Sequence, residues 1–390
     1  MTDVFMNTYH RLPVTFTQGQ GVWLTDTQGK RYLDFTAGLG VNCLGHGHPK
    51  VVKAIAEQAG RLNHVCNYYQ SDISIAFAER LVAACAPAGI QKVFLANSGA
   101  EANEGACKIA RKYSLKKYGP GRHTIVTLKG SFHGRTITTL SATGQDKFHK
   151  DFGPFTEGFR FIPPGDLEAL DQGLDQATVA GLLIEAIQGE SGIIPQSAAY
   201  IEAAAKICAD RDILLMFDEI QCGVGRTGTF LACEAYQVKP DLVTLAKGLS
   251  AGVPVGAVLA GKKTAEVFEI GDHGSTFGGN PLAAAAGIVV LETVNNPIFL
   301  KDIARKGERI QAALRAWNHP SIKDIRGKGL MLGLDIGAPA GTILEAALAQ
   351  GLLILSAGTN TLRFLPPYVI TDSEIDQGLD LLKKVLSGSP

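Results

Sequence analysis

The chain has 390 residues, with 37 Lys and Arg balanced by 37 Asp and Glu for a formal net charge of zero. That length has room for two or three domains, and a charged fraction of 19%, below the roughly 25% usual for globular chains, implies a large buried core with scope for a buried subunit interface. No field of one sign exists to gather nucleic acid or an anionic membrane, so an anionic ligand must be held by a few placed groups.

The seven cysteines stand at 43, 66, 85, 107, 208, 222 and 233 with no CxxC spacing. They read as reduced thiols of a cytoplasmic protein, not as a disulfide framework. The start, Met1 to Met6, lacks a basic stretch followed by an apolar block, so no signal peptide is expected. The longest apolar run, Leu282 to Leu291, is too short to cross a bilayer and reads as a buried helix.

In chain order, Val22 to Leu24 and Arg31 to Phe35, separated by Gly29, predict a short antiparallel hairpin. His46-Gly47-His48 reads as a turn with one buried histidine, since no metal-ligand spacing surrounds it. Lys50 to Gln58 is helix-like, and Ser71 is placed to cap a helix with Ile73, Phe77 and Leu81 on one face. Strands follow at 93–95, 124–128, 181–184, 213–217, 242–245 and 255–260, with helices at 99–117 and 198–211 among them. Short, continuous apolar strands separated by helices predict an α/β fold with a mainly parallel sheet covered on both faces. Beyond Pro281 come the buried helix, an amphipathic helix carrying Ile303, Ile310, Leu314 and Trp317, strand-like pieces at 329–336, 352–355 and 361–365, and a closing helix near 373–386. This part reads as a smaller α+β unit.

Several strand ends carry chemistry. Asn97-Ser98-Gly99-Ala100-Glu101-Ala102-Asn103 opens a long helix; a Ser and a Gly there expose backbone N–H groups that suit an anion, although an ordinary Ser cap looks the same. In Ser131-Phe132-His133-Gly134-Arg135-Thr136, Phe132 suits stacking on a planar ring and Arg135 suits a carboxylate, against the plainer reading of a core Phe and a solvated Arg. Glu185-Ala186-Ile187-Gln188-Gly189-Glu190 puts two carboxylates at a strand end, with Arg363 a candidate partner. The apolar run Ile213 to Phe217 ends in Asp218-Glu219, and the run Leu242 to Leu245 is followed by Ala246-Lys247-Gly248. An acid and a lysine at the ends of two buried strands is the pairing that pyridoxal phosphate chemistry needs: the amine bonds the aldehyde, and the carboxylate keeps the ring nitrogen protonated. Two matches mislead. Gly223-x-Gly225-x-x-Gly228 lies just after two acids and has no acid at the ribose-binding distance, and Gly256 to Lys262 is strand material with Lys263 where a P-loop needs Ser or Thr.

Taken together, Leu44 to Pro49, Asn97 to Asn103, Phe132 to Thr136, Gln188 to Glu190, Asp218 to Gln221, Ala246 to Gly248, Gly274 to Pro281 and Arg363-Phe364 resemble, in order and over nearly the whole chain, the class III or omega aminotransferases of the fold type I pyridoxal phosphate enzymes. The resemblance implies a large cofactor-binding domain, 51–281, a small C-terminal domain, 282–390, and an N-terminal segment, 1–50, packing with the latter. It implies Lys247 as the lysine bonded to the cofactor, Asp218 as the pyridinium partner, and Gln221 at the ring hydroxyl. Phe132 and Ile220 would sandwich the ring, His133 would join the cofactor site, and Ser98, Gly99 and Ala100 would cradle the phosphate. Thr276, with Ser275 beside it on the substrate side, resembles a residue reaching the phosphate in the neighbouring subunit, which implies a homodimer with shared sites. Arg135 would clamp the far carboxylate of the amine donor and Arg363 the α-carboxylate of glutamate or 2-oxoglutarate, with Glu190 as the switch that pairs with Arg363. The implied reaction moves the terminal amine of an N²-acylated ornithine, N²-acetylornithine first, to 2-oxoglutarate. Relatives using free ornithine carry a Tyr near 38–42, and none stands there. Succinylornithine, ornithine, 4-aminobutyrate and longer N-acyl donors remain alternatives within the family, and a nicotinamide dehydrogenase would rest on the 223–228 glycines alone. The one departure is Ala186, where the family has Pro.

Overall fold

The computed structural model describes residues 4–388; the expectation for the extreme N-terminus rests partly on Met1–Asp3, which lie outside them. The chain opens with an antiparallel ribbon, β1 (Phe16–Gln20), β2 (Trp23–Asp26) and β3 (Arg31–Asp34), then a short turn, α1 (Ala37–Gly40), and two helices, α2 (Pro49–Ala59) and α3 (Asp72–Cys85). The expected hairpin is there. β1 was not foreseen, because its five residues are all exposed and alternate with nothing. In the turn that follows, neither His46 nor His48 is buried; His46 instead bonds Asp34 through Nε2 at 2.8 Å.

The central sheet comes next: β4 (Ile90–Ala96), α4 (Gly99–Tyr118), β5 (Thr124–Leu128), α5 (Ile137–Ala142), β6 (Phe159–Ile162), α6 (Leu167–Gly173), β7 (Val179–Ile184), a two-residue hairpin β8 (Ile187–Gln188) and β9 (Ile194–Pro195), α7 (Ala198–Arg211), β10 (Leu214–Asp218), β11 (Leu242–Leu245) and β12 (Gly256–Gly261). Its seven strands lie in the order β4-β12-β11-β10-β7-β5-β6. The five from β11 to β6 are parallel, and β12 runs antiparallel to both its neighbours. Alternate side chains go to opposite faces. Ile125, Leu183, Leu214, Met216 and Leu242 pack with α4, while Val126, Leu182, Leu215, Phe217 and Val243 join the larger core on the other side. The sheet is therefore covered on both faces, as its unbroken apolar strands require.

The apolar run near 282–291 is the helix α8 (Pro281–Val294), capped by Asn280 and buried along most of its length. Among the described residues no single helix is long and apolar enough to cross a membrane. After it come α9 (Pro297–Ala316), β13 (Asp324–Lys328), β14 (Met331–Asp335), α10 (Gly341–Ala349), β15 (Leu352–Leu353), β16 (Leu355–Ala357), β17 (Thr361–Phe364) and α11 (Asp372–Leu386). The strand expected at 329–336 is shorter, β14, and is preceded by an unforeseen β13: Gly329 takes φ +55 in the turn between them. β15 pairs in parallel with β3, and Trp23 donates through Nε1 to Glu374 at 3.0 Å, so the first fifty residues are tied to the last forty.

One crossing of this fold sets the site directly. β12 passes beneath the turn from β4 to α4, and a methyl group on Gly256 would overlap the Ser98 carbonyl oxygen. A backbone neighbour cannot move aside as a side chain can. Gly256→Ala should cost about 1–3 kcal/mol of stability, read as a lower urea midpoint, and should displace the start of α4.

Candidate active site

β10 and β11 are parallel neighbours with Asp218 opposite Thr244, so their C-terminal ends lie side by side. Asp218 closes the first strand. Lys247 stands two residues past the second, at φ +45, where it opens a 3-10 turn over Lys247–Ser250. Left-handed backbone at a non-glycine residue is strained and is held only where surrounding contacts impose it. Both residues line one cavity of about 440 Å³, together with Ser98, Gly99, Ala100, Phe132, His133, Arg135, Glu190, Ile220 and Gln221. Burial lowers the Lys247 pKa from its ordinary value, against the opposing pull of Glu190 and Asp218. An amine with a lowered pKa is better suited to act as a nucleophile and proton carrier near neutral pH.

The adjacent acids Asp218 and Glu219 have separate surroundings. Asp218, 3% exposed, faces the cavity. Its Oδ2 accepts from Asn103 Nδ2 and from His133 Nδ1, each at 2.8 Å, and Oδ1 accepts from the Ile220 N–H at 3.0 Å. Asn103 in turn donates to the His133 carbonyl and accepts from Thr244 Oγ1, both at 2.8 Å, so α4 and β11 jointly orient the carboxylate. Glu219 points away, fully buried, and accepts the N–H groups of Ala232 at 2.6 Å and Cys233 at 2.8 Å. Burial pushes its pKa up to about 7 despite those two bonds.

At the other end of the cavity Ser98 caps α4, accepting the Glu101 N–H on its hydroxyl at 3.2 Å. Helix geometry leaves the N–H groups of Gly99 and Ala100 without intrahelical acceptors, at the positive end of a 20-residue helix. Gly99 is needed for space: a Cβ there would stand 2.7 Å from Ile220 Cδ1. The residues present fit pyridoxal phosphate. An N–H cradle for a phosphate, two apolar walls at Phe132 and Ile220, a buried carboxylate for a ring nitrogen and an amine for an aldehyde share one cavity of the volume usual for such ligands.

Arg363 approaches from β17, only 3% exposed. Its Nη1 donates to Glu190 Oε1 at 2.5 Å, to the Gly189 carbonyl at 3.1 Å and to Gln221 Oε1 at 3.4 Å. Burial works to raise the Glu190 pKa, but the charge and hydrogen bond of Arg363 outweigh it and hold the carboxyl below its ordinary range. Arg135, by contrast, is exposed and makes no ion pair among the described residues. Arg135 thus lines the cavity with no ion-pair partner among the described residues, while Arg363, behind Glu190, is paired.

Arg363 stands behind the lining residues Glu190 and Gln221; the structure brings every other expected site residue to this cavity except Ser275 and Thr276. Those two border a second cavity of about 500 Å³ that shares Asn97 with the first. Asn103 has no role in the sequence motif; its signal is a polar residue on the buried stripe it shares with Ala106, Cys107 and Ala110 at i+3, i+4 and i+7. Glu185 likewise carries no role in the motif. It is buried, and its carboxylate ties the Phe132 N–H at 2.9 Å to the Gly189 N–H at 3.0 Å, which joins the ring wall to the Glu190 loop. Burial pushes its pKa up to about 7. In the 223–228 turns Gly223 packs against Glu219 and Leu245, and Gly225 and Gly228 pack against α9, while Gly256–Gly261 is the buried strand β12, so neither glycine run is an open cradle for a nucleotide.

Because the folded-state pKa of Glu219 is raised from about 4.5 to about 7, the folded chain keeps a proton there that the unfolded chain gives up. The associated stability is present at low pH and lost as pH rises through 7. In Glu219→Gln that loss is removed while Glu185 still titrates. The stability difference, wild type minus variant, should therefore fall between about pH 4.5 and about pH 7 and level off above it in urea titrations; a constant difference across that window would contradict the assignment.

The chain matches the family model of the class-III aminotransferases over residues 4–386. It is 48% identical over 385 residues to the acetylornithine aminotransferase of Caldanaerobacter subterraneus subsp. tengcongensis, covering 98% of this chain and 97% of the relative. Among solved structures it is similar to the N-acetylornithine aminotransferase of Stenotrophomonas maltophilia, at 38% identity and TM-score 0.85 with 97% of each chain covered. It is also similar to an ornithine aminotransferase of Toxoplasma gondii with partial occupancy of pyridoxal phosphate at its active site, at 34% identity and TM-score 0.94, covering 99% of this chain and 92% of that one. Fold, cavity and family match agree, and the chain belongs to the class-III aminotransferases, enzymes that transfer amino groups with pyridoxal phosphate.

Proposed function

We propose that this aminotransferase moves the terminal amino group of N²-acetylornithine to 2-oxoglutarate, giving N-acetylglutamate 5-semialdehyde and glutamate, a step of arginine biosynthesis. The observation that carries the reading is the contrast between Arg363, paired with the cavity residue Glu190, and Arg135, which lines the same cavity with no ion-pair partner among the described residues. An N²-acylated donor has no free α-amine, and its carboxylate is met by Arg135 while Glu190 keeps the charge of Arg363 neutralised. 2-Oxoglutarate brings an α-carboxylate that displaces Glu190 and takes Arg363. The relative at 48% identity supports the donor. The higher TM-score of the Toxoplasma ornithine aminotransferase favours ornithine as the second reading.

When bound, pyridoxal phosphate supplies an electron sink for the carbon that bears the amine. Lys247 Nζ would carry the proton from the amine-bearing carbon to the cofactor carbon within each half-reaction. Asp218, fixed by Asn103 and His133, would hold a proton on the ring nitrogen, and Gln221 would meet the ring hydroxyl. Phe132 and Ile220 would sandwich the ring, and Ser98, Gly99 and Ala100 would hold the phosphate.

The same reading includes a homodimer in the cytoplasm, with residues 1–50 packing with a small domain of 282–390 against a large domain of 51–281. The pairing of β15 with β3 supports that division. The dimer is supported by the loop carrying Ser275, Thr276 and exposed Phe277, which lies outside the Lys247 cavity and is bonded to Asn67, the residue before exposed Tyr68 and Tyr69. Thr276 would then serve the partner's phosphate.

Two measurements check the donor and the gate. With 2-oxoglutarate as acceptor, N²-acetylornithine should give a higher kcat/KM than ornithine, succinylornithine or 4-aminobutyrate, and a higher value for ornithine would reverse the ranking of the two readings. Glu190→Ala should relax discrimination against free α-amino acids more than it slows the 2-oxoglutarate half-reaction; equal losses in both halves would exclude a switching role.

A further inference from the structure

Arg135 stands on an exposed loop with no ion-pair partner among the described residues, a position in which a long side chain ordinarily samples many rotamers. Two aromatic rings restrain it here. Its Cζ lies 4.0 Å from the centroid of Phe148 and 5.4 Å from that of Phe132. The rings meet edge to face, with centroids 5.8 Å apart at 78°. Phe148 belongs to no motif of the cavity. It ends a 3-10 turn, Asp146–Phe148, whose position is fixed from both sides. Gln145 donates through Nε2 to the Ser131 carbonyl at 3.0 Å, and His149 Nε2 bonds the Leu140 carbonyl at 2.9 Å.

We propose that Phe148 is a positioning residue for the amine donor, acting through Arg135. A guanidinium stacked by its face on a ring keeps its N–H edge free for a carboxylate in the same plane. Phe148 thereby holds Arg135 in the orientation the donor carboxylate meets, and the edge contact with Phe132 keys that orientation to the ring wall of the cavity. Lys147, 4.7 Å from the same centroid, adds a second positive charge on the Phe148 ring. The inference rests on the reading of Arg135 as the donor clamp.

The test is a double-mutant cycle in the cofactor-loaded enzyme with N²-acetylornithine. Phe148→Leu and Phe148→Met both keep an apolar contact and remove the aromatic face. In each, KM for the donor should rise roughly three- to tenfold, the scale of a stacked cation–π contact, with kcat changed less than about twofold. Phe148→Tyr should restore KM to within about twofold of wild type. Arg135→Gln should raise KM further, and adding Phe148→Leu to it should raise KM no more, because two residues that act as one unit are not additive. If Arg135→Gln leaves KM unchanged, the donor-clamp reading is wrong. If Arg135→Gln raises KM but the Phe148 variants do not, or add to it independently, the clamp stands and the role of Phe148 is refuted.

Discussion

Met216, Phe217 and Asp218 pair in register with Leu242, Val243 and Thr244, and this parallel ladder sets where a carboxylate and an amine stand in the finished fold. Parallel neighbours end on the same edge of a sheet, which in open α/β folds is where ligands bind. A one-residue slip would turn Asp218 from the cavity toward the side that Glu219 takes. α4 reinforces the register from one face, since Asn103 bonds both Asp218 and Thr244. β12 closes under the helix start at Gly256. The N–H cradle at Ser98 to Ala100, the carboxylate and the amine are therefore placed by a single packed block.

That block holds an unusual amount of buried charge. A buried carboxylate or guanidinium is costly unless hydrogen-bonded and paired. Each acid here meets the requirement differently. Asp218 takes three donors, Glu219 and Glu185 take two backbone N–H groups each, and Glu190 takes Arg363. Only the last pairing joins two side chains that substrates can compete for. Buried ion pairs are weak sources of net stability, so Arg363–Glu190 is better understood as a latch that a carboxylate can open than as a brace for the fold.

The elements were legible where the sequence is monotonous. Strands 124–128 and 242–245 and helix 198–211 lie where apolar runs, caps and turn residues place them. β1 shows neither alternation nor an apolar run, and the Phe-Arg-Phe-Ile alternation of β6 is only four residues long, too short to stand out. At the site, Lys247, Asp218 and the Ser98 turn could be read from strand-end positions. The divergence of Asp218 from Glu219 could not, because it depends on where the 232–233 backbone N–H groups arrive in space. Arg363 and Glu190, 173 residues apart, meet only through the fold. Phe148 carries no motif signal, and its contact with Arg135 follows from a turn tied down at Ser131.

The placement of Lys247 at the centre of this arrangement is tested most directly by borohydride reduction of the cofactor-loaded enzyme followed by peptide mass mapping. The account predicts a pyridoxyl-phosphate mass increment on the peptide containing Lys247, and none on any lysine of Lys247→Ala. An increment on a different lysine of the wild-type chain, or a retained increment in the variant, would contradict it.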